Sequence, residues 1–471
     1  MKILYVASEA LPFMASGGLA EVAGSLPKAI RDRQNACRVV MPLYGDISQE
    51  LREKMKYLTN FTVRLSWRHQ YCGVFEATVN GVIYYLLDNE YYFKRSGIYG
   101  FFDDAERFAF FAKAAVELID HIDYKPDILH CNDWQTAMSI VYLNEEYRKY
   151  EKYKNIRTVF TIHNVQYQGR YGMEILQDVL GLPPEREKDM EWDGCLNMMK
   201  AAVMQADVVN TVSPTYAREL QDPWFSHGLD RLFRMNQQKV RGILNGIDIH
   251  SYDPQTDPEI FCHYSAKDPE GKAKNKRELQ KLMGLDVEPE RPLIGMVSRL
   301  VSHKGMDLVK YILNEVVQEG FSVVVLGTGD YIYEEFFQEM QMRYPGKVAV
   351  KIGFLPHLSR KIYAGSDLFL MPSKSEPCGL AQMVALRYGT IPVVRETGGL
   401  KDSIRDLGGE DGNGFTFQTY NAHDMFHALR RAKALYEDPQ AWHRAVVHAM
   451  GCDFSWGRSA KEYIQMYQSI L

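Results

Sequence analysis

The chain has 471 residues, 46% of them hydrophobic and 24% charged, and a formal net charge of −5 with its lysines and arginines scattered. That length is too great for one core and points to two or three domains, and the charge gives a nucleic-acid or anionic-membrane partner little electrostatic support. Seven irregularly spaced cysteines without a Cys-x-x-Cys pair fit reduced, cytoplasmic thiols better than a disulfide framework or a zinc site.

In chain order, MKILYVAS (1–8) reads as a buried strand, too short for a signal peptide or a membrane helix. PFMASGGLAEVAGSLPKAI (12–30) then sets Gly17-Gly18 at the start of an amphipathic helix. Such a turn aims free N–H groups at an anion, typically phosphate, and a plain tight turn is the alternative. Further strands are expected at 36–42, 127–131, 158–163 and 207–213; continuous apolar runs of this kind suit a parallel sheet covered on both faces. Between 60 and 90 the pattern alternates around an Asn-Gly turn and predicts an antiparallel hairpin. Helices are predicted at 105–122 and 215–221. A polar, Pro-rich stretch at 249–290 reads as a linker turning helical. A second strand–helix series follows, with strands at 292–298, 323–327, 348–354, 367–373 and 391–396. The pattern predicts an α/β protein of two doubly wound Rossmann-like domains facing across a cleft.

Several loops carry chemistry. Arg299 and Lys304 in VSRLVSHKGMDL lie between a strand and a helix, where a guanidinium and an ammonium suit a diphosphate leaving group. In SKSEPCGLAQMVALRYG, Glu376 precedes a small-residue turn at Cys378, Gly379 and Leu380. It is placed to accept sugar hydroxyls, or is merely a charge near a helix N-terminus. Asp133, His163 and Asn164 end two adjacent strands of the first half. Asn245-Gly246 marks the crossing between halves. No metal-ligand spacing is present. Gly-Gly-Leu occurs at 17–19 and again at 398–400, by chance or for a shared role. Trp67, Tyr71, Tyr84, Tyr85, Tyr91, Tyr92 and Trp224 are either core or sugar-stacking platforms.

Together, SEALPFMASGGLAEVAGSLP, LHCNDWQTA, TIHNVQYQG, GILNGID, SRLVSHKG, YAGSDLFLMPSKSEPCGL and LRYGTIPVVRETGGLKD resemble, in order, the bacterial glycogen synthase and plant starch synthase family. The resemblance implies a GT-B fold with an N-terminal domain at 1–245, a C-terminal nucleotide-sugar domain at 246–454 and a helix at 455–471 crossing back. It implies a cytoplasmic, retaining glucosyltransferase that uses no cofactor or metal. The donor would be ADP-glucose and the acceptor the non-reducing end of glycogen or another α-1,4-glucan. By the same resemblance Arg299 and Lys304 hold the diphosphate, with backbone at Cys378, Gly379 and Leu380. Glu376 holds the glucosyl ring; Asp133, His163, Asn164, Asn245 and Gly246 line the sugar and acceptor side; Phe354 is a candidate wall for the base. The superfamily's second glutamate, eight residues on, is Val384 here.

One departure stands out. The family's loop begins with a lysine that reaches the phosphates, whereas this chain has Ala15-Ser16-Gly17-Gly18. Losing one charge-assisted contact costs about 1.5–3 kcal/mol, a ten- to hundredfold effect. Ala381, where the family often has Ser or Thr, is a second lost side chain. A weakened or inactive glucan-binding paralogue, or a synthase with another donor such as UDP-glucose, is therefore the alternative.

Overall fold

In a computed structural model describing residues 1–471, the apolar runs fall into two sheets belonging to two compact units. The first unit comprises 1–212, 217–243 and 456–471, the second 213–216 and 244–455.

The first sheet is built from β1 (Lys2–Val6), β2 (Ala36–Pro42), β3 (Lys56–Leu65), β4 (Arg68–Val79), β5 (Val82–Asp88), β6 (Ile128–Asn132), β7 (Arg157–Ile162), β8 (Val208–Thr211) and β9 (Val240–Gly242). The order across it is β9-β8-β7-β6-β1-β2-β5-β4-β3. From β9 to β5 every neighbouring pair is parallel, and β5–β4 and β4–β3 are antiparallel. The expected hairpin is present, with Val79 paired to Val82 around Asn80 and Gly81, both at positive φ, as a type I′ turn requires. Its far strand, β5, also joins the sheet beside β2, so the alternating ribbon extends the parallel core rather than standing apart. A small three-stranded sheet (Arg170–Tyr171, Glu191–Trp192, Cys195–Asn197) and β9 carried too few residues to show a period.

The second sheet holds β10 (Leu293–Val297), β11 (Ser322–Gly327), β12 (Val348–Ile352), β13 (Leu368–Met371), β14 (Ile391–Arg395) and β15 (Phe415–Phe417), in the order β12-β11-β10-β13-β14-β15, all parallel. Apart from the edge strand β12, whose Lys351 is exposed, these strands are buried almost throughout, which is why they read as continuous apolar runs rather than alternating ones. The second unit also takes in Ser213–Tyr216; the Ser213 hydroxyl donates to the Pro377 carbonyl at 2.7 Å.

The last helix, Trp456–Gln468, belongs to the first unit and packs on the helix Gly18–Arg31. Its tyrosines are fully buried: the Tyr467 hydroxyl lies 2.7 Å from His130 Nδ1, and the Asn210 amide donates to the Tyr463 hydroxyl at 3.1 Å. His130 Nε2 is taken by Thr161 Oγ1, so both ring nitrogens are engaged within the core. No helix is long and apolar enough to cross a membrane.

Candidate active site

In each doubly wound sheet the strand order reverses at one point, and a crevice opens there beyond the carboxyl ends of two strands. In the first unit that point lies between β1 and β6; in the second, between β10 and β13. The loops that follow these four strands are 7–17, 133, 298–305 and 372–380, and they carry Ala15 to Gly17, Asp133, Arg299, Lys304, Glu376 and Cys378 to Leu380. His163 and Asn164 instead follow β7, Asn245 and Gly246 follow β9, and Phe354 follows β12.

In the first unit β1 runs into a turn where the N–H groups of Phe13 and Met14 donate to the Ala10 carbonyl. The helix Gly18–Arg31 then starts with Gly17 extended (φ −162°) and with no side chain capping it. Its first N–H groups have no acceptor within the helix. Ala15, Ser16, Gly17 and Gly18 are all exposed, and Ala15 offers only a methyl group. Beneath them the buried Glu9 carboxylate accepts the Ser16 N–H.

At the end of β6, Asp133 adopts a positive φ of 56°, and its Oδ1 accepts the His163 N–H at 2.7 Å, with the Asn164 N–H also bonded to the carboxylate. Burial pushes the Asp133 carboxyl up to about 7 against these hydrogen bonds, and the nearby Glu9 charge adds to the rise. The His163 Nε2 lies 2.9 Å from Asn132 Oδ1. Asn132 donates its Nδ2 to the Val6 carbonyl, so Oδ1 is the acceptor and His163 is protonated at Nε2. Burial lowers the imidazole to about 3, so it is neutral, with Nδ1 left as the acceptor nitrogen. The Asn164 Oδ1 accepts the Gln166 N–H at 3.0 Å, so this side chain is committed to its own turn.

In the second unit two loops are locked together. Lys304 Nζ donates to Glu376 Oε2 at 2.6 Å, and the Ser373 hydroxyl donates to the same oxygen at 3.1 Å. The Lys374 N–H donates to the His303 carbonyl at 2.9 Å. Gly305 has a φ of +82°, and a Cβ there would lie 2.1 Å from the Pro372 carbonyl oxygen, so only glycine permits this approach. Arg299 is exposed, and its Nη2 lies 3.3 Å from His303 Nε2. Burial, with Lys304 and Arg299 nearby, lowers the His303 imidazole, leaving it neutral to accept from the guanidinium.

Glu376 is buried. Its carbonyl and that of Pro377 accept the Gly399 N–H, each at 3.1 Å. A Cβ on Gly399 would meet the Cys378 carbonyl oxygen at 2.1 Å. The second Gly-Gly-Leu is thus a packing device under the Glu376 loop. The Cys378 thiol is buried, pushed up to about 12, and accepts the Asn245 N–H, which makes it an inert filler rather than a nucleophile. Gln382 was not visible as a site residue, yet its Nε2 ties the carbonyls of Cys378 and Gly379 to the Ser403 hydroxyl. Asn245 is buried with its Oδ1 unpaired, an acceptor without a donor, and Gly246 beside it is buried too. Leu380 caps the helix Ala381–Arg387 with no side-chain bond. Phe354, beyond β12, is 86% exposed. Val384 is core.

Family models match both halves: "Starch synthase catalytic domain" over residues 2–235 and "Glycosyl transferases group 1" over 284–446. A glycogen synthase of Geobacillus thermodenitrificans is 48% identical over 475 residues, 100% of this chain and 98% of its own. The chain belongs to the glycogen synthase family. A second member, from Desulforamulus reducens, is likewise 48% identical, over 100% of this chain and 99% of its own. The catalytic domain of starch synthase IV from Arabidopsis thaliana, solved bound to ADP and acarbose, matches with a TM-score of 0.91 at 34% identity. That match covers 100% of this chain and 99% of the other. Membership makes the protein a glycosyltransferase, and the two switch-point crevices are where such a fold holds ligands.

Tyr84, Tyr85 and Tyr92 are buried and take the core alternative, whereas Trp67, Tyr71, Tyr91 and Trp224 are exposed.

Proposed function

We propose that the protein transfers glucose from ADP-glucose to the non-reducing end of an α-1,4-glucan, glycogen being the natural acceptor, with retention of configuration. The observation that carries this reading is the cluster at the second switch point, where Lys304 and Arg299 flank a buried Glu376. A departing diphosphate needs cations placed where charge develops, and these two supply them. Glu376, already accepting from Lys304 and Ser373, has its remaining lone pairs for sugar hydroxyls.

The first unit is read as holding the sugar rather than supplying a base. Asp133 is fixed by two backbone N–H groups, and His163 is neutral with one acceptor nitrogen suited to a sugar hydroxyl. The proton of the attacking hydroxyl then passes to the departing phosphate on the same face of the sugar. Asn245 Oδ1 is a further acceptor for substrate. Phe354 offers a flat apolar face to the adenine. That a relative was solved with ADP supports ADP as the leaving group. All seven cysteines are free, which supports a cytoplasmic setting.

Ala15 favours a second reading, a weakly active or inactive glucan-binding paralogue or a synthase with another donor. The test is ADP release from ADP-glucose with glycogen, beside UDP-glucose, for the protein and its Glu376→Ala variant. Turnover with ADP-glucose that Glu376→Ala abolishes is expected. Turnover only with UDP-glucose, or glycogen binding without turnover, would replace the first reading with the second.

A further inference from the structure

Glu9 is nearly fully buried under an exposed loop. Its carboxylate accepts the Ser16 N–H, the Ser16 hydroxyl and the Gly17 N–H, and its Oε1 would lie 3.9 Å from a Cβ at Gly17. The backbone just before it is fixed at Ser8, whose hydroxyl lies 2.7 Å from the Tyr99 hydroxyl and whose carbonyl accepts from Tyr44 at 2.7 Å. Two of the N–H groups that the loop could offer an anion are therefore spent on a carboxylate of the protein itself. The next two, on Gly18 and Leu19, open the helix and have no acceptor within it.

We propose that Glu9 is a positioning residue for the donor: by latching the Ser16–Gly17 backbone it sets the direction in which the Gly18 and Leu19 N–H groups meet phosphate. The role rests on the donor reading given above. It carries more weight in this chain than where a lysine occupies position 15, because an alanine supplies no cation to draw the loop to the phosphates. The groups that bear on Glu9 are the Asp133 carboxylate and the Tyr44 and Tyr99 hydroxyls. It is held by hydrogen-bond donors rather than by a cation, and burial raises its carboxyl above the usual range. Protonating it takes acceptor capacity from the loop, so the latch loosens as pH falls through that raised value.

The test uses the full-length protein with selective 15N-serine and 15N-glycine labelling, together with calorimetric binding of ADP. In the native protein the Ser16 and Gly17 amide resonances are expected to follow one carboxyl titration above the ordinary glutamate range. Glu9→Gln should abolish that titration and weaken ADP about tenfold to a hundredfold. Donor KM should rise in step, while the KM for glycogen stays put. Glu9→Asp, which keeps the charge but withdraws it by one methylene, should fall between the two and guards against a misfolded glutamine variant. Native ADP affinity in both variants, or amides that do not titrate, overturns the proposal. Amides that titrate in a native protein that binds no ADP overturn it as well, and that pattern traces the failure to the donor reading rather than to the latch.

Discussion

Lys304 Nζ lies 2.6 Å from Glu376 Oε2, although 72 positions of sequence separate the two residues. The pair joins the loop after β10 to the loop after β13, so the cation and the carboxylate that we propose meet phosphate and sugar hold each other in place. Replacing Lys304 by Met leaves the buried Glu376 with only the Ser373 hydroxyl. We expect a loss of about 1–3 kcal/mol in stability by denaturant titration. Turnover should fall by about a hundredfold or more, since a donor to developing charge is gone.

Ala15 is exposed, so a longer side chain there meets no steric cost. Ala15→Lys is expected to raise kcat/KM for the sugar-nucleotide donor about tenfold to a hundredfold, with the melting temperature unchanged. Steady-state ADP release at varied donor concentration measures this. No gain would mean that the loop does not meet the phosphates.

Two groups of the candidate site contribute to the pH dependence of stability with opposite sign, beside buried groups such as His130, also lowered to about 3. The Asp133 carboxyl is raised to about 7 in the fold from its ordinary 3.8, so the folded state holds the extra proton between these values. Its contribution is full below about 4 and is lost as pH rises towards 7. His163 is lowered from 6.5 to about 3, so its contribution is full above 6.5 and is lost as pH falls towards 3. Asp133→Asn should flatten the decline on the neutral side, and His163→Gln the decline on the acid side. Denaturant titrations from pH 4 to 8 check both slopes.

Phe354 is exposed and supports nothing in the core. Phe354→Ala should leave the melting temperature unchanged while weakening ADP binding about threefold to tenfold, the worth of one stacked ring. Unchanged ADP affinity would remove it from the site.

Two glycines should answer differently to the same substitution. Gly305→Ala drives a Cβ to 2.1 Å from the Pro372 carbonyl at a φ of +82°, so both stability and turnover should fall. At Gly18 nothing lies within 4 Å and the residue is helical, so Gly18→Ala should fold at least as well as the parent. Thermal unfolding of the two variants side by side decides this.

Much of the fold could be read from the chain because its signals are local. Runs such as Leu293–Val297 and Ser322–Gly327 are apolar without alternation, and a strand covered on both faces has no other way to be written. The turn at Asn80-Gly81 needs positive φ at two positions, and the residues there are chosen for it. The short strands Val240–Gly242 and Phe415–Phe417 escaped notice because three residues cannot establish a period. The loop residues Arg299, Lys304, Glu376 and Asp133 were visible because polar groups directly after a buried strand have few structural uses.

By itself, then, the sequence determined which residue types stand at the ends of which strands, since secondary structure and turn chemistry depend on near neighbours. Only the tertiary structure decided their partners: Lys304 on Glu376, two backbone N–H groups on Asp133, Gly399 beneath Cys378, and Glu9 under the Ser16–Gly17 backbone. Strand order sets three of those pairings: β13 beside β10 brings Glu376 to Lys304, β7 beside β6 brings His163 and Asn164 to Asp133, and β14 beside β13 brings Gly399 under Cys378. A protonation state then follows from how deeply each group is buried there, and burial at a switch point is a property of the assembled sheet rather than of any stretch of chain.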